Sequence, residues 1–169
     1  MTDRTVLIAW LRDAYAMEQQ AIDLLEAQSR RLRHYPELEA KVNRHLIESR
    51  DQADRVRTCL RRLGADVSML KAGIARLTAN MQTIMTAATA DEVVKNAVAD
   101  YAFEHLEIGT YRCLIAAARD YGDAEIARVC EEILHQEEAM AAWLGEHLAV
   151  IAGEYLRRQD DFDFTTAKG

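Results

Sequence analysis

The chain has 169 residues, a net charge of −7, and hydrophobic and charged shares of 50% and 29%. This composition is typical of one globular domain, and it argues against a disordered chain or a membrane protein. The acidic balance argues against nucleic-acid binding, which usually requires a basic stripe. Alanine, leucine, glutamate and arginine are abundant, and one proline and seven glycines leave few places to interrupt helices. We therefore expect an all-α fold.

The cysteines and the N-terminal segment favour a cytoplasmic location. Cys59, Cys113 and Cys130 are widely spaced and form no C-x-x-C pair, which is typical of free thiols in a reducing compartment. The N-terminal segment lacks the cationic region and apolar run of a signal peptide. No apolar stretch approaches the roughly 18 residues that a membrane span needs.

Apolar residues recur at helical spacing in four long segments. These segments are residues 3–33, 37–63, 91–122 and 123–157. Pro36 separates the first two segments, and Gly64 is a natural C-terminal stop for the second. Asp91 is a predicted N-cap for the third, which we expect to end at Gly122.

The connection between the second and third segments is too long for a simple loop. Apolar residues at helical spacing within it predict one or two shorter helices at about 66–88. A hairpin, a long crossover and a second hairpin together form the connectivity of ferritin-like bundles. The sequence therefore predicts a ferritin-like antiparallel four-helix bundle over residues 1–157, with a helical crossover and a polar, flexible tail at 158–169.

Four glutamates stand where the helical pattern favours hydrophobic residues. Glu18 and Glu137 interrupt apolar lines, whereas Glu48 and Glu107 flank the inner faces of their helices. Glu18 and Glu48 are 30 residues apart, and so are Glu107 and Glu137. Each hairpin should therefore hold its two glutamates at one height, and the packed hairpins should bring all four together.

Buried carboxylates at one level repel each other and lose their hydration. They must be protonated, hydrated, paired with cations or bound to metal. Two divalent ions would neutralise four carboxylates, and oxygen ligands suit iron(II), manganese(II) and magnesium. Equal spacings also arise by chance among many glutamates, so a metal-free bundle with protonated or hydrated acids remains the alternative.

Further residues lie near the same face at about 100° per residue. His45 precedes Glu48 by one turn and is either a ligand or a hydrogen-bond donor to one. Gln52 is placed to donate a hydrogen bond to a ligand carboxylate. Glu104 is a possible fifth acid, and Tyr111 is either a hydrogen-bonding partner or electron donor of the site or a packed core residue.

Other apparent motifs fail the same angular test. Glu132 and His135 form an E-x-x-H match that faces away from Glu137, and His105 faces away from Glu107. The usual di-iron bundle carries E-x-x-H on two helices. Asp51 and Met140 stand where its histidines would be, so any site here is richer in carboxylate.

The chain resembles the YciE/YciF type of bacterial stress-associated ferritin-like proteins over roughly residues 4–152. The resemblance rests on the segments 45–52, 104–111 and 134–137. It implies a central metal site, a homodimer and a link to oxidative or general stress. Carried over by position, the metal-site candidates are Glu18, His45, Glu48, Glu104, Glu107 and Glu137. Ala141 stands where the family often has an aspartate, which puts full occupancy by two metals in doubt.

The leading hypothesis is a stress-response protein that binds iron or manganese at a carboxylate site. If the protein is an enzyme, the expected chemistry is a reaction with oxygen or peroxide. The alternative is a metal-free dimeric bundle that acts as an interaction or stress-protective module without catalysis. Neither hypothesis involves nucleic acid or a membrane.

Overall fold

A computed structural model of the protein describes residues 4–65 and 91–166. Within these residues the chain forms helices and contains no strand, which confirms the all-α prediction. The helices are α1 (Thr5–Ser29), α2 (Pro36–Arg62), α3 (Glu92–Asp120) and α4 (Ala124–Thr166). None of them contains a stretch long and apolar enough to cross a membrane. The predicted crossover helices lie outside the described residues.

Glycine and proline set several of the helix ends. Gly64 and Gly122 follow α2 and α3 with φ angles of +69° and +70°, a conformation that glycine adopts without strain. Pro36 is the first residue of α2, where its missing N–H costs nothing. Asp91 occupies the N-cap position of α3, as predicted, but its side chain caps no backbone N–H and instead pairs with Lys95.

Two predicted helix ends are wrong. The first helix ends at Ser29 rather than at residue 33, because the following residues form tight turns that lead into α2. Leu32 and Tyr35 in this turn are buried, so packing favours the turn over continued helix. The fourth helix continues to Thr166 instead of ending near Arg157, since neither proline nor glycine interrupts residues 154–166.

Two apolar layers form the core at the two ends of the bundle. The first apolar layer includes Leu7, Leu11, Leu60, Leu114, Ile126 and Ile133. The second apolar layer includes Leu25, Leu38, Val42, Val93, Ala97 and Ile151. Each helix contributes to both layers, so each runs from one end of the bundle to the other.

The order of the layers along each helix gives the topology. The first apolar layer contains the beginnings of α1 and α4 and the ends of α2 and α3. The second contains the opposite ends of the helices. Therefore α2 and α3 are parallel, and α2 ends at the opposite end of the bundle from the start of α3. Helix α1 packs on α2 and α3, and α4 packs on the same two helices. This is the connectivity of a ferritin-like bundle.

Candidate metal centre

A polar layer lies between the two apolar layers. Its members are almost fully buried and come from all four helices. They are Glu18 of α1, His45 and Gln52 of α2, Glu104 and Glu107 of α3, and Glu137 of α4. Gln52 and Glu137 fall between the stretches of their helices that supply the two apolar layers, and the other four members lie near the boundary between those stretches. The polar centre therefore has apolar residues on both sides.

Four of these side chains converge on one point. His45, Glu104, Glu107 and Glu137 each offer a ligand atom, and these atoms lie within 4.8 Å of one another. His45 Nε2 is 3.2 Å from Glu104 Oε1 and 3.5 Å from Glu137 Oε2. Metal–oxygen bonds of about 2.0–2.5 Å place opposite ligands roughly 4–5 Å apart. The four-residue cluster therefore has a size that suits a cation.

Several polar atoms of the cluster lack hydrogen-bond partners within the described part of the chain. They are both carboxylate oxygens of Glu107, one oxygen each of Glu104 and Glu137, and His45 Nε2. A buried polar atom without a partner costs about 1–3 kcal/mol, and more when it is charged. A bound cation would give a partner to one ligand atom of each of the four side chains.

The electrostatics of the cluster reflect burial and crowding. Burial, together with the neighbouring Glu137 and Glu18 charges, raises the pKa of Glu107 well above its ordinary value. Burial likewise raises the pKa of Glu137, although His45 opposes the shift. Burial alone would lower the pKa of His45, but Glu104 and Glu48 outweigh it and raise that pKa. Without a cation, the cluster thus favours protonated forms.

Glu18 lies in the polar layer but outside the four-residue cluster. Its side chain is fully buried, and the Tyr111 hydroxyl donates a hydrogen bond to Glu18 Oε1. Burial raises the pKa of Glu18 to about 8, although the Tyr111 hydrogen bond and His45 oppose the shift. Tyr111 is itself fully buried, so it is both a packed core residue and a hydrogen-bonding partner of this carboxylate.

Glu48 also lies beside the cluster rather than in it. Its side chain is 30% exposed, and its Oε2 is 3.1 Å from His45 Nδ1. The hydrogen bond with His45 lowers the pKa of Glu48. The structure therefore brings together four of the six predicted site residues, His45, Glu104, Glu107 and Glu137. The other two lie at the edge of this cluster, where Glu18 contacts Tyr111 and Glu48 contacts His45.

Two buried hydrogen bonds lie around the cluster, and the sequence indicated only one of them. Gln52 Nε2 donates a hydrogen bond to Glu137 Oε1, which matches its predicted position beside a core carboxylate, while the ligand role of Glu137 stays a prediction. Sequence reasoning missed Asp100 and Gln28, which are both buried and joined by a 2.7 Å hydrogen bond. Burial raises the pKa of Asp100 to about 7. Asp100 lies one helical turn before Glu104 on the same helix face, and this spacing could have indicated its burial from the sequence.

The residues predicted to face away from the centre do so. Glu132 is exposed and pairs with Arg55 and Arg128. His135 and His105 are exposed as well. The E-x-x-H match on α4 is therefore a surface feature.

An antiparallel four-helix bundle with parallel second and third helices and a buried carboxylate layer at mid-height defines a ferritin-like protein. More specifically, the chain belongs to the family described as a domain of unknown function, DUF892, which matches residues 2–157. This assignment confirms the resemblance to the YciE/YciF type, because solved structures of this kind are among those similar to the chain.

Three solved structures are similar over most of the chain. A protein from Xanthomonas campestris pv. campestris is 41% identical, has a TM-score of 0.79, and the match covers 93% of this chain and 98% of that one. The E. coli stress protein YciF is 22% identical, with a TM-score of 0.74 and coverage of 90% and 99%. YcfI from Rhodopseudomonas palustris is 27% identical, with a TM-score of 0.71 and coverage of 86% and 94%.

Proposed function

We propose that the protein binds a divalent metal ion, iron(II) or manganese(II), at the four-residue cluster, and that it acts in the oxidative or general stress response. The observation that carries the metal proposal is the convergence of His45, Glu104, Glu107 and Glu137 within 4.8 Å. The stress role is supported by the family and by the similarity to a bacterial stress protein. The cytoplasmic location stays a prediction.

The donor set fits these ions. Three carboxylates and one imidazole suit iron(II) and manganese(II), whereas a thiolate-rich set would favour softer metals. The unpartnered atoms of the cluster are those that a cation would contact. Glu48, whose pKa the His45 hydrogen bond lowers, adds negative charge at the edge of the cluster. We infer at least one ion per chain.

The side chains around the cluster would hold and orient the ligands. Gln52 donates to Glu137 and so fixes one ligand carboxylate. Tyr111 donates to Glu18 beside the cluster, and its buried phenol is a candidate electron donor. A redox-active ion would supply chemistry with oxygen or peroxide. The apolar layers on both sides limit the access of water to the centre.

The metal-free module is the second candidate, and the raised pKa values of Glu107 and Glu137 favour it. Protonated acids can share hydrogen bonds in a buried layer, so the fold does not require a cation. Such a bundle would act without catalysis, either by binding a partner on its surface or as a stable stress-protective protein. The two functions differ in one property, which is the response of the folded protein to metal.

A melting experiment separates these functions. A ligand that binds only the folded state raises the melting temperature by mass action. We expect anaerobic iron(II) or manganese(II) to raise the melting temperature of chelator-treated protein. Glu107→Gln removes a carboxylate with two unpartnered oxygens and should abolish most of the increase.

The matched control is Glu132→Gln, which makes the same substitution on the exposed face of α4. It should leave the metal-induced increase intact, whatever it does to the ion pairs with Arg55 and Arg128. If neither metal changes the melting temperature of the wild-type protein, the metal-free module is the better description. If both variants lose the response equally, the assignment of the cluster is wrong.

A further inference from the structure

Glu48 differs from the other candidate ligands in its exposure. The side chain of Glu48 is 30% exposed, whereas that of His45, one turn earlier on α2, is 1% exposed. The two residues share a helix face because they are three positions apart. Glu48 thus lies between the buried centre and the surface, on the outer side of the imidazole.

The two nitrogens of His45 have different surroundings. Nδ1 is 3.1 Å from Glu48 Oε2, and Nε2 faces Glu104 and Glu137 at 3.2 Å and 3.5 Å. An ionised carboxylate only accepts hydrogen bonds, so the contact with Glu48 requires a proton on Nδ1. In a neutral imidazole, Nε2 then carries the lone pair, and this is the nitrogen that faces the cluster.

We propose that Glu48 is a positioning residue, which orients His45 and fixes its tautomer through Nδ1 so that Nε2 is presented to the metal. This inference rests on the proposed metal function. It departs from the direct-ligand role that the family resemblance implies for Glu48. Carboxylates that hydrogen-bond a metal-binding histidine are a recurrent arrangement, and they orient the ring and raise its basicity.

A double-mutant cycle distinguishes a positioning residue from a ligand. Manganese(II) affinity is measured for the wild type, Glu48→Leu, His45→Ala and the double variant, each after chelator treatment. Loss of a carboxylate of this kind typically weakens metal binding roughly 10- to 100-fold. We expect Glu48→Leu to weaken binding by this amount when His45 is present, and to have no further effect when His45 is alanine. Residues that act through each other are non-additive.

A conservative variant adds a second readout. In Glu48→Gln, the amide oxygen still accepts a hydrogen bond from Nδ1, so this variant should retain more affinity than Glu48→Leu. Asp51→Leu controls for the loss of one negative charge, because Asp51 is on the same helix with a side chain 64% exposed. It should bind manganese(II) like the wild type.

Two outcomes overturn the inference in different ways. If Glu48→Leu weakens binding as much without His45 as with it, Glu48 acts directly and the positioning role is wrong, while the metal centre stands. If the wild type binds no manganese(II) or iron(II), the proposed function fails and the role of Glu48 fails with it.

Discussion

The buried carboxylate of Glu18 makes the stability of the metal-free protein depend on pH. In the folded state burial raises the pKa of Glu18 from 4.5 to about 8, while Tyr111 and His45 oppose the shift and Glu104 reinforces it. A carboxyl group with a raised pKa binds its proton more tightly in the folded state than in the unfolded chain. The contribution of Glu18 to stability is therefore largest below pH 4.5 and falls as the pH rises towards 8.

The size of the effect follows from the shift. Each pKa unit corresponds to about 1.4 kcal/mol. Between pH 5 and pH 8 the carboxyl group becomes almost fully ionised in the unfolded chain, whereas about half of the folded protein keeps Glu18 protonated at pH 8. This difference should lower the free energy of unfolding by about 3 kcal/mol. The raised pKa values of Glu107, Glu137 and His45 act in the same direction. Glu18→Gln should therefore remove about 3 kcal/mol of a larger total decrease.

Urea denaturation in the presence of a chelator measures this difference. Glutamine is nearly isosteric, and its carbonyl oxygen can still accept the hydrogen bond from Tyr111. We expect the free energy of unfolding of Glu18→Gln to change less between pH 5 and pH 8 than that of the wild type, with similar denaturant slopes. The reasoning is refuted if the wild type is equally stable at both values, or if the variant keeps the full pH dependence.

Three further predictions concern the core, the thiols and the assembly. Leu60→Ala should lower the free energy of unfolding by about 2–5 kcal/mol, because Leu60 is fully buried in the first apolar layer; a loss below about 1 kcal/mol would contradict the packing. Exposed Cys113 should react with a thiol reagent in the native protein, whereas Cys59 and Cys130 should react only after unfolding, since burial raises their pKa values to about 11 and about 12. Native labelling of all three would contradict their burial. The homodimer implied by the family resemblance should give a light-scattering mass of about twice 19.1 kDa, and a single-chain mass across micromolar concentrations would exclude it.

The sequence predicts the polar layer well because an acid in an apolar line is a one-dimensional signal. Glu18 and Glu137 interrupt regular helical patterns, and both are fully buried. The 30-residue spacing within each hairpin predicts that Glu18 lies at the height of Glu48 and Glu107 at the height of Glu137, because helices of similar length joined by a short turn pair in register. The helical periodicity also predicts that Glu132 and His135 face away from Glu137, and both side chains are exposed.

The details of the cluster depend on side-chain directions that periodicity cannot resolve. His45 and Glu48 are about 60° apart on an ideal helix. Only packing decides that the imidazole enters the centre while the carboxylate stays at its edge. Glu18 was expected among the central acids, and its hydrogen bond with Tyr111 depends on contact between α1 and α3. The sequence does not predict the end of α4, because polar residues such as those after Arg157 occur both in a solvated helix end and in a flexible tail.

Metal content measured after equilibrium dialysis is the most direct test of the proposed centre. The chelator-treated wild type and the variant Glu107→Gln/Glu137→Gln are dialysed in parallel against manganese(II) or anaerobic iron(II), and elemental analysis gives the ions per chain. We predict at least one ion per wild-type chain and a large loss in the variant, because both substituted side chains belong to the four-residue cluster. Equal, near-zero metal contents in the two proteins would contradict the metal centre.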